Sequence, residues 1–311
     1  MGVHIQVLRL FAVPPRLGLA ALFLAAAIGA PPVLARAAAP LLPGPQAPDP
    51  VPVRLLDPPP AGSRNVGVVP GGVVRWAGEG IARCGDARET WAPLDGACLY
   101  PVDLGQEEGA LEVYRDLGGR RETATLRVLP PSYAAEHLEV DPGKVRLSKK
   151  NRLRADRERE VVVPLFSLRT NPAFSLPLGS PLEHAPPPRN FGTRRLFNGE
   201  TRSAHGGADY RAPTGTPVLA AEEGLVVLAA DHFFAGKNVF VDHGGGLLSM
   251  YMHLSRIDVR KGRRVKKGER LGLSGATGRV TGPHLHFGLR WRGAKVDPAP
   301  LLGDPAKLPS P

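Results

Sequence analysis

The chain has 311 residues, which is long enough for an N-terminal leader and two folded domains, and 42% of them are hydrophobic, as in an ordinary globular protein. Its net charge of +11 and isoelectric point near 10.1 suit an anionic partner, such as nucleic acid, a membrane surface or a cell-wall polymer. The sequence contains no helix-turn-helix, zinc-finger or RNA-binding signature, so we expect no nucleic-acid partner.

The N-terminus has the layout of a secretory signal peptide, which we predict over residues 1–37. Basic residues precede an apolar run over residues 17–30, and Val33-Leu34-Ala35 offers a small-residue cleavage site, with alternatives within residues 35–39. An uncleaved anchor is the competing interpretation, but the run is short for a membrane span and Pro31-Pro32 ends it. We therefore expect an exported protein without a membrane span after cleavage, in the periplasm of a Gram-negative bacterium.

A proline- and alanine-rich linker over residues 38–62 leads to a β-rich domain over residues 63–166. In the clearest hairpin, residues 111–113 and 124–128 alternate apolar and polar side chains around Gly118-Gly119. Further β-like runs occur at residues 72–76, 138–140, 144–147 and 160–166. Such short, regularly spaced strands predict a small β-sandwich, with an immunoglobulin-like topology left open.

The only two cysteines are Cys84 and Cys98. In an oxidising compartment we expect them to form one local disulfide. A pair of metal-binding thiolates is the alternative, but it lacks the close C-x-x-C spacing and the partner histidines of such sites.

A dense run of charges over residues 149–160 predicts a solvated loop or hairpin face, with contact to an anionic polymer as the alternative. Residues 167–190 form a second predicted linker, stiffened by Pro186-Pro187-Pro188. From residue 191 to residue 303 the pattern is again all-β, and residues 304–311 are a tail. Three successive strands are predicted at residues 224–228, 238–242 and 247–254.

Two separated clusters of side chains suit a metal ion. His205 and Asp209 form one cluster, and His284 and His286 form the other. Together they supply two histidines and one carboxylate, with one histidine to spare, which is the ligand set of a catalytic zinc ion whose fourth position is left to water. A structural zinc site would be closed by another protein ligand, usually cysteine, and neither cysteine lies near these clusters in the sequence.

Strand geometry explains the spacing of these histidines. Successive side chains of a strand alternate between its faces, so we expect His284 and His286 to point the same way. The same rule places Tyr251 and His253 together, opposite Met250, Met252 and Leu254. A groove lined by such faces would gather His253 with the other two clusters.

Three motifs in this order resemble the lysostaphin-like (LytM-type) zinc metallopeptidases: residues 205–209 (His-Gly-Gly-Ala-Asp), 251–255 (Tyr-Met-His-Leu-Ser) and 282–287 (Gly-Pro-His-Leu-His-Phe). Phe191-Gly192-Thr193-Arg194-Arg195 adds to the resemblance, which covers roughly residues 176–303. The resemblance implies an all-β protein, in which a C-terminal LytM-type antiparallel β-sheet groove domain follows the small β-sandwich-like domain.

The resemblance also implies a role for each site residue. His205, Asp209 and His286 would bind one zinc ion per chain, and His253 and His284 would act as catalytic groups beside the activated water. Either of these two histidines would carry the proton.

The function implied is a zinc endopeptidase that hydrolyses peptide cross-links of bacterial peptidoglycan, cutting a D-alanyl bond to diaminopimelate. A non-catalytic regulator of other cell-wall hydrolases is the main alternative, because members with this fold can lose their ligands. A lipoyl-like carrier modified at Lys266 or Lys267 is a third possibility, suggested by the glycine rhythm of residues 259–272, but it leaves the histidine motifs unexplained. From its placement alone, we expect the N-terminal β domain to position the substrate or cover the groove.

Overall fold

In this computed structural model, the described residues are 64–183 and 185–311. The predicted signal peptide (residues 1–37) and first linker (residues 38–62) lie outside them. Strands make up most of the ordered secondary structure, which confirms the all-β class. Among the described residues, no helix is both long and apolar enough to cross a membrane.

The N-terminal half is built from seven strands: β1 (Arg64–Val68), β2 (Val73–Ala77), β3 (Arg83–Asp86), β4 (Thr90–Trp91), β5 (Ala97–Pro101), β6 (Gly109–Leu117) and β7 (Arg120–Val128). Five of them form a sheet in the order β1-β7-β6-β3-β4, and β2 pairs with β5. The predicted hairpin is confirmed as β6 and β7, and Gly118 and Gly119 adopt the positive φ angles of its turn. Trp76, Val113 and Leu126 lie in the apolar core of this half.

A disulfide joins Cys84 in β3 to Cys98 in β5, as the sequence predicts, and both residues are fully buried. It therefore ties the five-stranded sheet to the β2–β5 pair. Closing a loop of this length stabilises the folded chain by about 3 kcal/mol in the chain-entropy model.

The middle of the chain corrects three predictions. Residues 144–147 and 160–166 were expected as β-like runs, and residues 149–160 as a loop or hairpin face. Instead, β8 (Ala135–Leu138) is followed by a 3-10 helix (Pro142–Lys144), helix α1 (Lys149–Val162) and a second 3-10 helix (Val163–Ser167).

Local hydrogen bonding explains why α1 forms. Ser148 caps its N-terminus by accepting a hydrogen bond from Asn151 N, and Arg154 pairs with Glu158 one turn later. No residue of α1 is buried, so the helix has no apolar stripe that would reveal its period in the sequence. Its composition of lysine, arginine, glutamate and alanine still favours a helix.

The C-terminal half contains the remaining strands: β9 (Arg194–Phe197), β10 (Glu200–Ala204), β11 (Ala208–Arg211), β12 (Pro217–Leu219), β13 (Gly224–His232), β14 (Gly236–Gly244), β15 (Leu247–Leu254), β16 (Arg256–Ile257), β17 (Arg264–Val265), β18 (Arg270–Leu273), β19 (His284–Trp291) and β20 (Ala294–Val296). The main sheet has the order β11-β19-β15-β14-β13-β17, with β20 paired to β19. The three strands predicted from residue 224 to residue 254 are confirmed as β13, β14 and β15. A second sheet has the order β12-β18-β16, and the short helix α2 (Pro298–Leu301) follows β20.

One face of the main sheet is covered by the largest apolar cluster of the protein, which includes Tyr251, Leu285 and Phe287. These three side chains are fully buried. The opposite face carries a smaller apolar cluster and, at one end, the polar residues of the candidate site. The segment predicted as a tail packs against the protein, since Leu308 is buried in the large cluster and Arg75 N donates to Pro309 O.

Elements from the two halves of the chain meet in a third sheet. Strand β8 pairs in parallel with β9, and β9 pairs with β10, so residues on both sides of the predicted linker (167–190) share hydrogen bonds. Helix α1 also contacts the β13–β14 turn, where Glu158 accepts a hydrogen bond from Phe233 N at 2.7 Å and Arg154 donates to Asp231 O at 3.1 Å.

A buried polar chain crosses the large apolar cluster. His243, in β14, donates from Nδ1 to Glu223 O at 2.6 Å, and its Nε2 lies 2.7 Å from Ser249 Oγ. Ser249 in turn hydrogen-bonds Tyr251 OH, which accepts from Ala221 N. Burial lowers the pKa of His243, so the ring is neutral in the folded protein.

We predict that His243 makes the protein less stable in acid. Its pKa is lower in the folded than in the unfolded chain, so unfolding takes up a proton and the free energy of unfolding falls as the pH drops below about 6.5. Between pH 6.5 and 4.5, the free energy of unfolding of His243→Gln, measured with denaturant, should change less with pH than that of wild type. The difference in slope should be up to about 1.4 kcal/mol per pH unit. His137→Gln, at an exposed position of β8, is the control. Equal pH slopes in wild type and His243→Gln would contradict the prediction.

Candidate metal centre

The pairing of β11 with β19 brings two of the predicted clusters together. Asp209 lies directly opposite His286, and Arg211 lies directly opposite His284. Residues opposite each other in an antiparallel pair share a face, so these four side chains project from the same side of the sheet. As the alternation predicts, Leu285 lies on the other face, in the large apolar cluster.

His205 reaches the same point from the chain just before β11. Its Nε2 lies 3.0 Å from Asp209 Oδ1 and 3.0 Å from His286 Nδ1. His286 Nδ1 and Asp209 Oδ1 are 2.7 Å apart. A Cβ atom on Gly207 would lie 2.6 Å from His286 Nε2, so a glycine at this position gives the ring its room.

The chemistry of this donor set fits a metal ion. His205 Nδ1 donates to Asn190 O at 2.7 Å, so a neutral His205 presents a lone pair at Nε2. That lone pair faces the carboxylate of Asp209 and the ring nitrogen of His286, so a metal ion among them could accept an electron pair from each of the three atoms. Ligands of a tetrahedral zinc ion at about 2.0 Å would be roughly 3.3 Å apart, close to the spacing found here.

Neighbouring groups fix the orientation of two of these three residues. Asn190 accepts the ring proton of His205 at its backbone oxygen and a hydrogen bond from Asp209 N at its side-chain oxygen. Arg195 donates to Oδ2 of Asp209, the oxygen that does not face the histidines. Arg195 is held in turn by Glu136 of β8, at 3.2 Å from its Nε.

The charge state of Asp209 follows from these contacts. Burial works to raise the pKa of its carboxyl, but the adjacent ring nitrogens of His205 and His286 lower it more, so the pKa lies far below its usual range. Burial also lowers the pKa of His286, which favours a neutral ring. An ionised carboxylate and a neutral imidazole are the forms that bind metal ions.

His253 reaches the site through an irregularity in β15 that the sequence analysis did not predict. Val239 pairs with Tyr251 and Lys237 with Leu254, so Met252 and His253 together face one residue of β14, as in a β-bulge. His253 has a φ of 66°, in the left-handed region, and its N donates to Ala235 O.

The bulge overturns the predicted face assignment of β15. His253 was expected on the face of Tyr251, with Leu254 opposite. Instead, Tyr251 and Leu254 both lie in the large apolar cluster. The centre of the His253 ring lies 4.8 Å from the centre of the His284 ring and 6.0 Å from that of the His286 ring. The extra residue shifts the alternation by one position, so His253 turns towards the metal-binding side chains.

His253 and His284 have the same hydrogen-bonding arrangement. Nδ1 of His253 donates to Thr277 O, and Nδ1 of His284 donates to Gly282 O, both at 2.9 Å. Each neutral ring therefore keeps an unprotonated Nε2. Burial, with smaller effects of the nearby His286 and His284, lowers the pKa of His253 to about 3, so this ring is neutral at physiological pH.

The five candidate metal-binding and catalytic residues thus lie together at one end of the main sheet. Several residues that contact them were not predicted as part of the site. Arg195 was noted only as part of a motif, with no role attached to it. Asn190 and Thr277 contact the histidines through backbone oxygens, which leave no trace in side-chain patterns. Glu136 comes from the other half of the chain, so its proximity depends on the pairing of β8 with β9.

Comparisons with known proteins agree with this geometry. Residues 203–298 match the family model of Peptidase family M23. The peptidoglycan DD-endopeptidase ShyA of Vibrio cholerae is 49% identical over 109 residues, which cover 35% of this chain and 25% of ShyA. ShyC, a peptidoglycan DD-endopeptidase of the same organism, is 42% identical over 123 residues, which cover 39% of this chain and 28% of ShyC. The chain thus matches about a quarter of the length of these curated relatives.

A solved structure resembles the chain over a larger share of its length. A peptidase M23 structure from Pseudomonas aeruginosa is 30% identical, with a TM-score of 0.60, and the match covers 76% of this chain and 95% of that one.

We predict that Arg195 strengthens metal binding by holding Asp209 in place. Removing a group that orients a metal ligand typically weakens metal affinity by about 10- to 100-fold. Arg195→Gln should therefore lose zinc to a competing chelator at a correspondingly lower chelator concentration. Arg194→Gln is the matched control, because strand alternation points Arg194 away from Asp209. Equal zinc affinities in wild type and Arg195→Gln would show that the contact has no part in binding the metal.

Proposed function

The chain belongs to peptidase family M23, and from this membership we propose that it is an exported zinc metallo-endopeptidase that hydrolyses peptide cross-links of bacterial peptidoglycan. The observation that carries the proposal is the convergence of His205, Asp209, His286, His253 and His284 at one end of the main sheet. The relatives named as peptidoglycan DD-endopeptidases support the substrate class. The net charge of +11 suits an anionic wall polymer.

In this proposal, His205, Asp209 and His286 hold one zinc ion. The ligand set of two histidines and one carboxylate is found in zinc hydrolases that leave a position open for water. A bound zinc ion supplies a Lewis acid that activates water near neutral pH and polarises the scissile carbonyl group. Asn190 orients His205 and Arg195 orients Asp209, so these two side chains need little reorganisation when the metal binds.

His253 and His284 carry the proton transfers. Because the Nδ1 atoms donate to backbone oxygens, Nε2 is the nitrogen that can accept a proton in the neutral form of either ring. A neutral imidazole in this position accepts a proton from the attacking water and returns one to the leaving amine. Burial lowers the pKa of His253 to about 3, so its ring is neutral and can accept a hydrogen bond from the water.

Export is part of the proposal, and the disulfide supports it. A fully buried disulfide between Cys84 and Cys98 is typical of proteins that fold in an oxidising compartment. We propose the periplasm of a Gram-negative bacterium, with residues 1–37 as the cleaved signal peptide and no membrane span afterwards.

We also propose the domain division predicted from the sequence, with a β domain over residues 63–166 and the peptidase domain over residues 191–303. The contact of Glu136 with Arg195 supports a positioning role for the first domain, because it links β8 to a neighbour of the metal site.

The proposal predicts chelator-sensitive loss of peptidoglycan cross-links. Purified sacculi incubated with the mature protein should lose cross-linked dimers and gain the matching monomers, as measured by muropeptide mass analysis. His284→Ala and His253→Ala should keep their zinc but lose most of this activity, by about 100-fold or more. His137→Ala, at an exposed position of β8, is the control histidine variant.

The opposite outcome would favour the regulatory alternative. If the zinc-loaded protein leaves all cross-links intact, yet stimulates another wall hydrolase, and His284→Ala does so equally well, the chain acts as a non-catalytic activator.

A further inference from the structure

One arginine has no role in the site described above, although it lies on the same strand pair. Arg211 ends β11 and lies directly opposite His284 in β19. Its side chain therefore projects on the same face as Asp209, His284 and His286. It is exposed, and it forms no ion pair with any residue in the described part of the chain.

Two other arginines near the site are already engaged in the described part of the chain. Arg195 pairs with Asp209 and Glu136. Arg279 stacks on Phe197 and Phe234, with its guanidinium carbon 4.4 and 4.6 Å from the two ring centres. Arg211, by contrast, has no ionic partner among the described residues, and it lies beside one of the two proposed catalytic histidines.

A free guanidinium at this position suits a carboxylate of the substrate. Directly opposed residues of an antiparallel pair have Cβ atoms about 4.5–5.5 Å apart, so the long Arg211 side chain reaches ligand atoms next to those that contact His284. Arginine presents a planar set of donors that binds a carboxylate through two parallel hydrogen bonds. Because Arg211 is exposed, its cation keeps its water until the substrate arrives, so no buried charge is left unpaired in the free protein.

The chemistry of the cross-link supplies such a carboxylate. In a D-alanyl–diaminopimelate bond, the carbon that carries the scissile nitrogen also carries a free carboxylate. In a D-alanyl bond to the side-chain amine of lysine, the corresponding carbon carries a hydrogen atom in place of that carboxylate. The two kinds of substrate therefore differ, next to the reacting bond, by one negative charge.

We infer that Arg211 determines specificity by binding the carboxylate next to the scissile nitrogen, which selects diaminopimelate cross-links over lysine cross-links. This inference rests on the proposed endopeptidase function and adds the residue that distinguishes the two kinds of cross-link. Binding this carboxylate holds the leaving nitrogen beside His284. The expected contribution appears in kcat/KM, because the same contact positions the substrate before and during bond cleavage.

The test uses two synthetic cross-linked peptide dimers that differ only in this residue, one with diaminopimelate and one with lysine. Wild-type protein should cleave the diaminopimelate dimer with the higher kcat/KM. Arg211→Gln should lower that value by roughly 10- to 100-fold, as expected for a hydrogen-bonded charge pair, and should leave cleavage of the lysine dimer unchanged. Arg211→Lys should restore part of the loss, because it keeps the charge but not the planar pair of donors.

Two controls separate specificity from damage to the site. Zinc content, measured for every variant, should equal that of wild type. Arg264→Gln removes an exposed arginine from β17, which is four strands away from β19 in the main sheet, and should behave as wild type on both dimers.

The outcomes distinguish this inference from the function on which it rests. If wild-type protein cleaves the dimers but Arg211→Gln affects both equally, or neither, the inference is wrong and the endopeptidase function stands. If zinc-loaded wild-type protein cleaves neither dimer, the proposed function fails, and the inference fails with it.

Discussion

The register between β11 and β19 is the constraint on which the site depends. With Asp209 opposite His286, candidate metal ligands from two distant segments face each other and share one side of the sheet. A slip of one residue would turn either strand over, placing Leu285 and Phe287 on the polar face and the histidines in the apolar core. The burial of Tyr210, Leu285 and Phe287 therefore does more than stabilise the fold. It excludes the one-residue slips that would separate Asp209 from His286.

The rest of the site is held from outside this strand pair. The β13–β14 turn supplies Ala235 O to the backbone of His253, and helix α1 holds the same turn through Glu158 and Phe233 N. On the other side, Glu136 contacts the arginine that binds Asp209. Residues that precede the predicted linker (167–190) therefore reach both the Asp209 side of the site, through Arg195, and the His253 side, through the β13–β14 turn.

The parts of the structure that could be predicted from the sequence depend on short-range patterns. The β6–β7 hairpin follows from its glycine turn and alternation, and the shared face of His284 and His286 follows from their spacing of two. Helix α1 was missed because it buries no residue, so no apolar period marks it. The orientation of His253 was also missed, because a bulge depends on how two strands pair and not on the residues of one strand. The contacts of Asn190 and Thr277 with the histidines could not be predicted, since every residue type has the backbone oxygen that makes them.

The pairing of β8 with β9 has a consequence for how the protein can be divided. A fragment that begins at residue 191 retains every proposed metal-binding and catalytic side chain, yet it leaves one edge of β9 without its neighbour. An uncovered strand edge exposes unpaired N–H and C=O groups and invites pairing with other chains. A shortened protein that starts before Ala135 keeps that edge covered, whereas cleavage within residues 167–190 followed by separation of the pieces would produce a self-associating peptidase.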